Sequence, residues 1–169
     1  RFKDIRLKTL PESFGNLISL KNLSLFHNKI EKLPESFGNL KSLEYLILNH
    51  NKLSELPKSF GNLESLKELR LRSNELRNLP ESFGNLKSLQ ILELSYNQLE
   101  VLPESFGNLE SLKELHIDHN QLNKLPTSML NLSKLDHLNT YGNKFDESTK
   151  NILKKLQEYA FVDGTRLPI

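Results

Sequence analysis

Glu114, His116 and Asp118 place two carboxylates and an imidazole at alternating positions of one short segment, with His119 directly after them. Alternation at period two puts such residues on the same face of a β-strand. His137 follows Glu114 at an interval of 23 residues, which recurs throughout the chain, so the two should be lateral neighbours. Imidazole and carboxylate groups are zinc donors, and imidazoles also titrate near neutral pH. The cluster therefore reads either as a metal site or as a pH-sensitive contact surface. No neighbouring residue is evident that would orient the imidazoles for a metal, and contact is the favoured reading, with no metal or cofactor required. Arg70 and Arg72, flanked by Glu68 and Glu93, form either a solvated ion ladder or a receptor for a partner's carboxylate.

Other chemistries lack their parts. The chain has no Cys, hence no thiolate nucleophile, disulfide framework or Cys-based zinc site. No Gly-rich phosphate loop is present. Ser36 recurs at the same place in every repeat, which marks a structural role. The nearest approach to a nucleophile–base pair, Ser95 with His116, has no orienting third group. The sequence reads as a non-enzyme.

These residues are carried by a repeat. Leu33-Pro34-Glu35-Ser36-Phe37-Gly38-Asn39-Leu40 recurs unchanged from Leu10, Leu79 and Leu102, with one substitution from Leu56, and in a looser form from Leu125. A constant period of 23 residues means a stacked solenoid whose units cannot bury their apolar faces alone. Within one copy the apolar positions are Leu33, Phe37, Leu40, Leu43, Leu46, Leu48 and Leu53. Glu44 to Leu48 alternates as a half-buried strand, and Phe37, Leu40 and Leu43, three apart, suit a 3-10 return on the opposite side. Pro34 opens each coil by fixing its own φ, and Gly38 marks a tight return where a side chain would not fit. Asn28, Asn51, Asn74, Asn97, Asn120 and Asn143 share one turn position, where a column of amides can bond the backbone of adjacent coils.

The chain is expected to be one domain: a partial repeat over 1–9, six repeats over 10–147, and a capping helix with a tail over 148–169. Phe2, Ile5 and Leu7 mark the degraded first coil, with Ile5 where later coils carry Asn. No polar cap precedes it, so its edge is expected either to be covered by residues outside this sequence or to pair with another chain, giving homo-oligomers. After Asp146 the period breaks. Ile152, Leu153, Leu156 and Tyr159 lie at helical spacing, predicting a helix over 147–160 laid across the last coil, followed by a turn at Asp163-Gly164.

The backbone-setting positions barely change between copies, whereas the outward strand positions change in every one. They form four columns: Asn22, Tyr45, Glu68, Ile91, Glu114 and His137; Ser24, Ile47, Arg70, Glu93, His116 and Asn139; Phe26, Asn49, Arg72, Ser95, Asp118 and Tyr141; His27, His50, Ser73, Tyr96, His119 and Gly142. Phe26, His27, Tyr45, Ile47 and His50 cluster on the first two coils, and large rings on a solvent face suit an interface. Arg70, Arg72, Ile91, Glu93 and Tyr96 fill the middle. His116, Asp118, His119, His137 and Tyr141 occupy the C-terminal end. Together these fifteen are the candidate protein-binding residues.

Leu43-x-x-Leu46-x-Leu48-x-x-Asn51-x-Leu53-x-x-Leu56-Pro57 resembles the leucine-rich repeat in its short Leu-Pro form, and the Phe-Gly-Asn-Leu units resemble bacterial arrays, those of Leptospira especially. The resemblance implies an α/β right-handed leucine-rich-repeat solenoid, or horseshoe. Its curved parallel sheet would be concave, with short 3-10 turns on the convex side and a C-terminal capping helix. It further implies a binding module for a protein partner, a host protein included, without a cofactor. Bacterial relatives suggest a secreted or surface location, intracellular scaffolds a cytoplasmic one. A net charge of +2, with acids and bases interspersed, gives no field for nucleic acid, and no apolar run is long enough to insert in a membrane.

Overall fold

A computed structural model describes residues 6–163. Seven strands, β1 (Asn22–Ser24), β2 (Tyr45–Ile47), β3 (Glu68–Arg70), β4 (Ile91–Glu93), β5 (Glu114–His116), β6 (His137–Asn139) and β7 (Phe161–Asp163), form one sheet in sequence order. Every neighbouring pair is parallel. Six 3-10 turns, Glu12–Asn16, Glu35–Asn39, Lys58–Asn62, Glu81–Asn85, Glu104–Asn108 and Thr127–Asn131, lie in the connections, and one helix, α1 (Glu147–Leu156), precedes β7. This is the expected leucine-rich-repeat solenoid: an open parallel sheet, short 3-10 turns and a closing helix.

Each coil is built by the same local chemistry. Pro34, Pro57, Pro80 and Pro103 sit before the turns with φ between −62° and −68°, extended and poised for the tight return. The apolar positions then fill the interior. Phe37, Phe60, Phe83 and Phe106 are fully buried. With half-buried Phe14 they stack at centroid spacings of 6.2 Å, their planes within 3° of parallel. At Gly38 an added Cβ would lie 2.3 Å from the carbonyl oxygen of Ser59 in the next coil, so only glycine permits this stacking distance. Ser59 in turn donates its hydroxyl to the Glu35 carbonyl, and Ser36, Ser82, Ser105 and Ser128 repeat the bond. The recurrent serines are therefore inter-coil ties.

The asparagine column bonds as expected. Asn51 Oδ1 accepts from Ile30 N at 3.0 Å, while Nδ2 donates to Leu25 O in the preceding coil and to Leu48 O in its own. Leu7 N donates to Asn28 Oδ1 and Lys29 N to Leu7 O, so Leu7 stands one period before Ile30. Phe2 and Ile5, and the tail from Gly164, lie outside the described residues.

The C-terminal end differs from expectation in three details. The helix stops at Leu156 and buries Thr149, Ile152, Leu153 and Leu156. Tyr159 leaves the apolar stripe and is exposed, because the chain turns there and seats Ala160 instead. Phe161 to Asp163, expected to approach a turn, extend the sheet as β7. The receiving coil is adapted to this. Thr140 occupies the inward slot held by leucine or isoleucine in the five preceding coils, and its hydroxyl donates to Asp163 O at 3.1 Å.

Candidate functional site

The sheet's solvent face displays the residues that differ between coils. Parallel pairing aligns the first two columns as their spacing predicts: Asn22, Tyr45, Glu68, Ile91, Glu114 and His137 are consecutive register partners, as are Ser24, Ile47, Arg70, Glu93, His116 and Asn139. β7 adds Phe161 beside His137 and Asp163 beside Asn139. Phe161 is strongly exposed, with its ring 4.8 Å from that of His137. This residue was missed because the broken period hid the strand; the apolar Val162 between outward Phe161 and Asp163 is the signal that could have found it.

The third and fourth columns require correction. Ser95 and Asp118 face outward but are shielded by their neighbours: each has little exposed surface, and the Ser95 hydroxyl donates to Asp118 Oδ1. That bond also removes Ser95 from any pairing with His116. His27, His50, Ser73, Tyr96 and His119 lie beyond the strands in the left-handed region, with φ of 52° to 57°. The side chain there leaves along a rim instead of standing on the sheet. Gly142, at φ 73°, holds the same position and is the sequence's own sign of it.

The rim gathers rings into two groups. At the N-terminal end the Phe26 ring meets His50 edge-on at 5.4 Å, and His27 lies 6.0 Å from His50. At the other end His119 stacks on Tyr96 at 4.2 Å and meets Tyr141 edge-on at 5.3 Å. Arg72 covers the Tyr96 ring at 4.5 Å, a cation–π contact. Ser73 separates the two groups. Tyr45 is exposed on the sheet, whereas Phe26, Ile47 and Ile91 are half-buried.

Between the groups lies a polar floor. Arg70 Nε donates to Glu68, which raises the guanidinium pKa above its ordinary value. Arg70 and Arg72 each place an NH1 3.7 Å from a different oxygen of Glu93. Both arginines are thus already turned toward carboxylates of their own chain, the ladder reading of the two. Beside the sheet, Lys67 bonds Glu44, holding that carboxyl below its usual range. His116 and His137 lie 6.4 Å apart by ring centroids. Among the described residues no three His, Asp or Glu side chains are placed to hold a metal ion.

The family description "Leucine-rich repeat region" matches residues 1–75 and 61–160. Among solved structures, a Leptospira interrogans LRR protein is similar at 32% identity and TM-score 0.68, over 96% of this chain and 48% of its own. PEPR1–AtPEP1 is similar at 36% identity and TM-score 0.76, over 82% of this chain and 20% of that one. The octameric complex of Latrophilin 3, Unc5D and FLRT2, the last contributing an LRR, is similar at 30% identity and TM-score 0.73, over 87% and 48%. The chain thus spans half or less of these relatives. No functionally curated protein matches it.

Proposed function

Because the chain belongs to the leucine-rich repeat family, we propose that it is a protein-interaction module whose sheet face and aromatic rim form the contact surface. The observation that carries this reading is the exposure of Tyr45, Tyr96, Tyr141 and Phe161 on that side. The fold does not require rings there: Asn22 and Ser73 occupy the columns of Tyr45 and Tyr96. Keeping a bulky side chain at a left-handed position also costs conformational energy that glycine avoids, which favours contact over scaffold duty for Tyr96 and His119. Complexes among the similar structures, the FLRT2 assembly included, support a binding role. In this reading Phe26, Tyr45, Ile47, Ile91 and Tyr96 anchor the partner, and Arg70, Arg72, Glu93 and His116 set its register.

The test is affinity capture and calorimetry with wild type beside the Tyr45→Ala/Ile47→Ala double variant. The expected result is a partner bound by wild type and weakened by roughly 2 kcal/mol or more in a variant of unchanged stability. Equal affinity in the folded variant would remove the N-terminal half of this surface from the interface.

A further inference from the structure

A hollow of about 230 Å³ lies in the middle of the sheet face, lined by Arg70, Arg72, Glu93, Glu114, His116 and Asp118 among others. Its charges are unevenly matched. Arg70 is committed to Glu68 and Glu93, and Arg72 to Glu93 and the Tyr96 ring. Asp118 has only 6% of its surface exposed, yet no cation of the described residues reaches it. Its carboxylate accepts a single hydrogen bond, from the Ser95 hydroxyl to Oδ1. Oδ2 accepts none, although no buried side-chain oxygen is sealed off without a partner, so this atom opens onto the hollow. Glu114, at the rim of the same hollow, makes no ion pair within 4 Å and acts on Arg70 only from further off. A carboxylate this deeply placed is costly unless a positive charge compensates it, and a fork of guanidinium N–H donors is well suited to do so.

We propose that this hollow is the seat of a basic side chain, arginine or lysine, presented by the protein partner. The inference rests on the reading of the sheet face as a protein-binding surface and adds the chemistry of the group that docks there. The inserted cation would face Asp118 from above and Glu114 from the side. Ile91 packs along the aliphatic stem, and Arg70 and Arg72 are held aside by Glu68 and Glu93. The arginines of the wall favour an acidic residue only weakly, since Glu93 already neutralises their facing ends. Two arginines face three carboxylates in the lining, so the charge in excess is the negative one.

The probe is N-acetyl-arginine amide, titrated into the isotope-labelled whole chain and followed by NMR at the amides of Glu114, His116 and Asp118. Its neutral isostere, N-acetyl-citrulline amide, is the control. Saturable shifts with arginine, absent with citrulline and lost in both Asp118→Asn and Glu114→Gln, are the expected result. Glu114 is exposed, so its variant keeps the test decisive if Asp118→Asn folds poorly. No saturable shift, equal shifts from citrulline, or arginine shifts that survive in Glu114→Gln would overturn the proposal. The probe needs no partner, so such a failure leaves the sheet-face reading to be decided by the Tyr45/Ile47 variant.

Discussion

The side chain of Asn74 holds three backbone groups at once. Its Oδ1 accepts from Leu53 N, and its Nδ2 donates to Leu48 O and Leu71 O, each at 3.0 Å and buried. Asn74→Ala therefore strands the Leu53 N–H, at about 1–3 kcal/mol, and removes one of two amide bonds from each carbonyl, since Asn51 still donates to Leu48 O and Asn97 to Leu71 O. The expected outcome is a loss of roughly 2 kcal/mol or more in denaturant unfolding, with a reduced midpoint. Asn74→Asp keeps the acceptor for Leu53 N but sets a second, charged oxygen against the Leu48 and Leu71 carbonyls, so it should not rescue. This column was legible in the sequence because only an amide supplies an acceptor and a forked donor at a recurring turn. The neighbouring column of His27, His50, Ser73, Tyr96 and His119 was not. Period-two alternation places residues on a face but carries no information about where the strand ends and φ changes sign. Asp118 illustrates the same limit: its burial depends on Ser95 one coil away, and at that column other coils carry Phe26, Asn49 and Arg72, which stay half-exposed.

At the scale of elements, the interior coils follow from their own residues, whereas the last one follows from what covers it. Leu130 stands where the other turns have glycine, and this is tolerated because no further serine-bearing turn abuts that position. Helix α1 covers that end instead, with Thr149 Oγ1 accepting from Leu125 N. Asp146 caps it by accepting from Thr149 N at 2.8 Å and from the Ser148 hydroxyl. The Thr149 backbone bond is the main reason that the Asp146 carboxyl sits below its ordinary value, with the hydroxyl second. A folded-state pKa below the unfolded one, about 3.9 for Asp, gives a contribution fully present above that value. The contribution is lost as pH falls through the lower folded value. Hydrogen exchange of the α1 amides, corrected for intrinsic rates, should show the helix loosening on acidification in wild type. Asp146→Asn should flatten that dependence; an identical acid response in the two would show that other carboxyls control the helix end. The existence and cap of α1 were readable from Asp146 and the Ile152, Leu153, Leu156 spacing. Its true end and β7 were not, since three-residue strands after a broken period have too few positions to display alternation.

Across the whole molecule, stability is carried by nearest-neighbour stacking, so the cost of a change depends on how many neighbours the altered coil has. The phenylalanine column makes this measurable because the same residue recurs in the same local setting. Phe60 is fully buried between Phe37 and Phe83, at 6.2 Å from each. Phe14 is half-buried and stacks only on Phe37 among the described residues. Phe60→Ala removes contacts on both sides and leaves a cavity that the glycine and serine ties hold open, for which about 3–5 kcal/mol is expected. Phe14→Ala should cost clearly less, because part of that ring already meets solvent and its removal opens no enclosed space. Denaturant unfolding of the two variants reads the difference directly. Equal losses would mean that the coils unfold as one block whose ends are as tightly held as its middle. A graded loss would match the burial of the two rings, the better-packed one lying in the coil that carries Arg70 and part of the floor of the hollow. A preorganised centre flanked by exposed rings keeps the ordering cost of binding low where the charged contacts must be placed accurately.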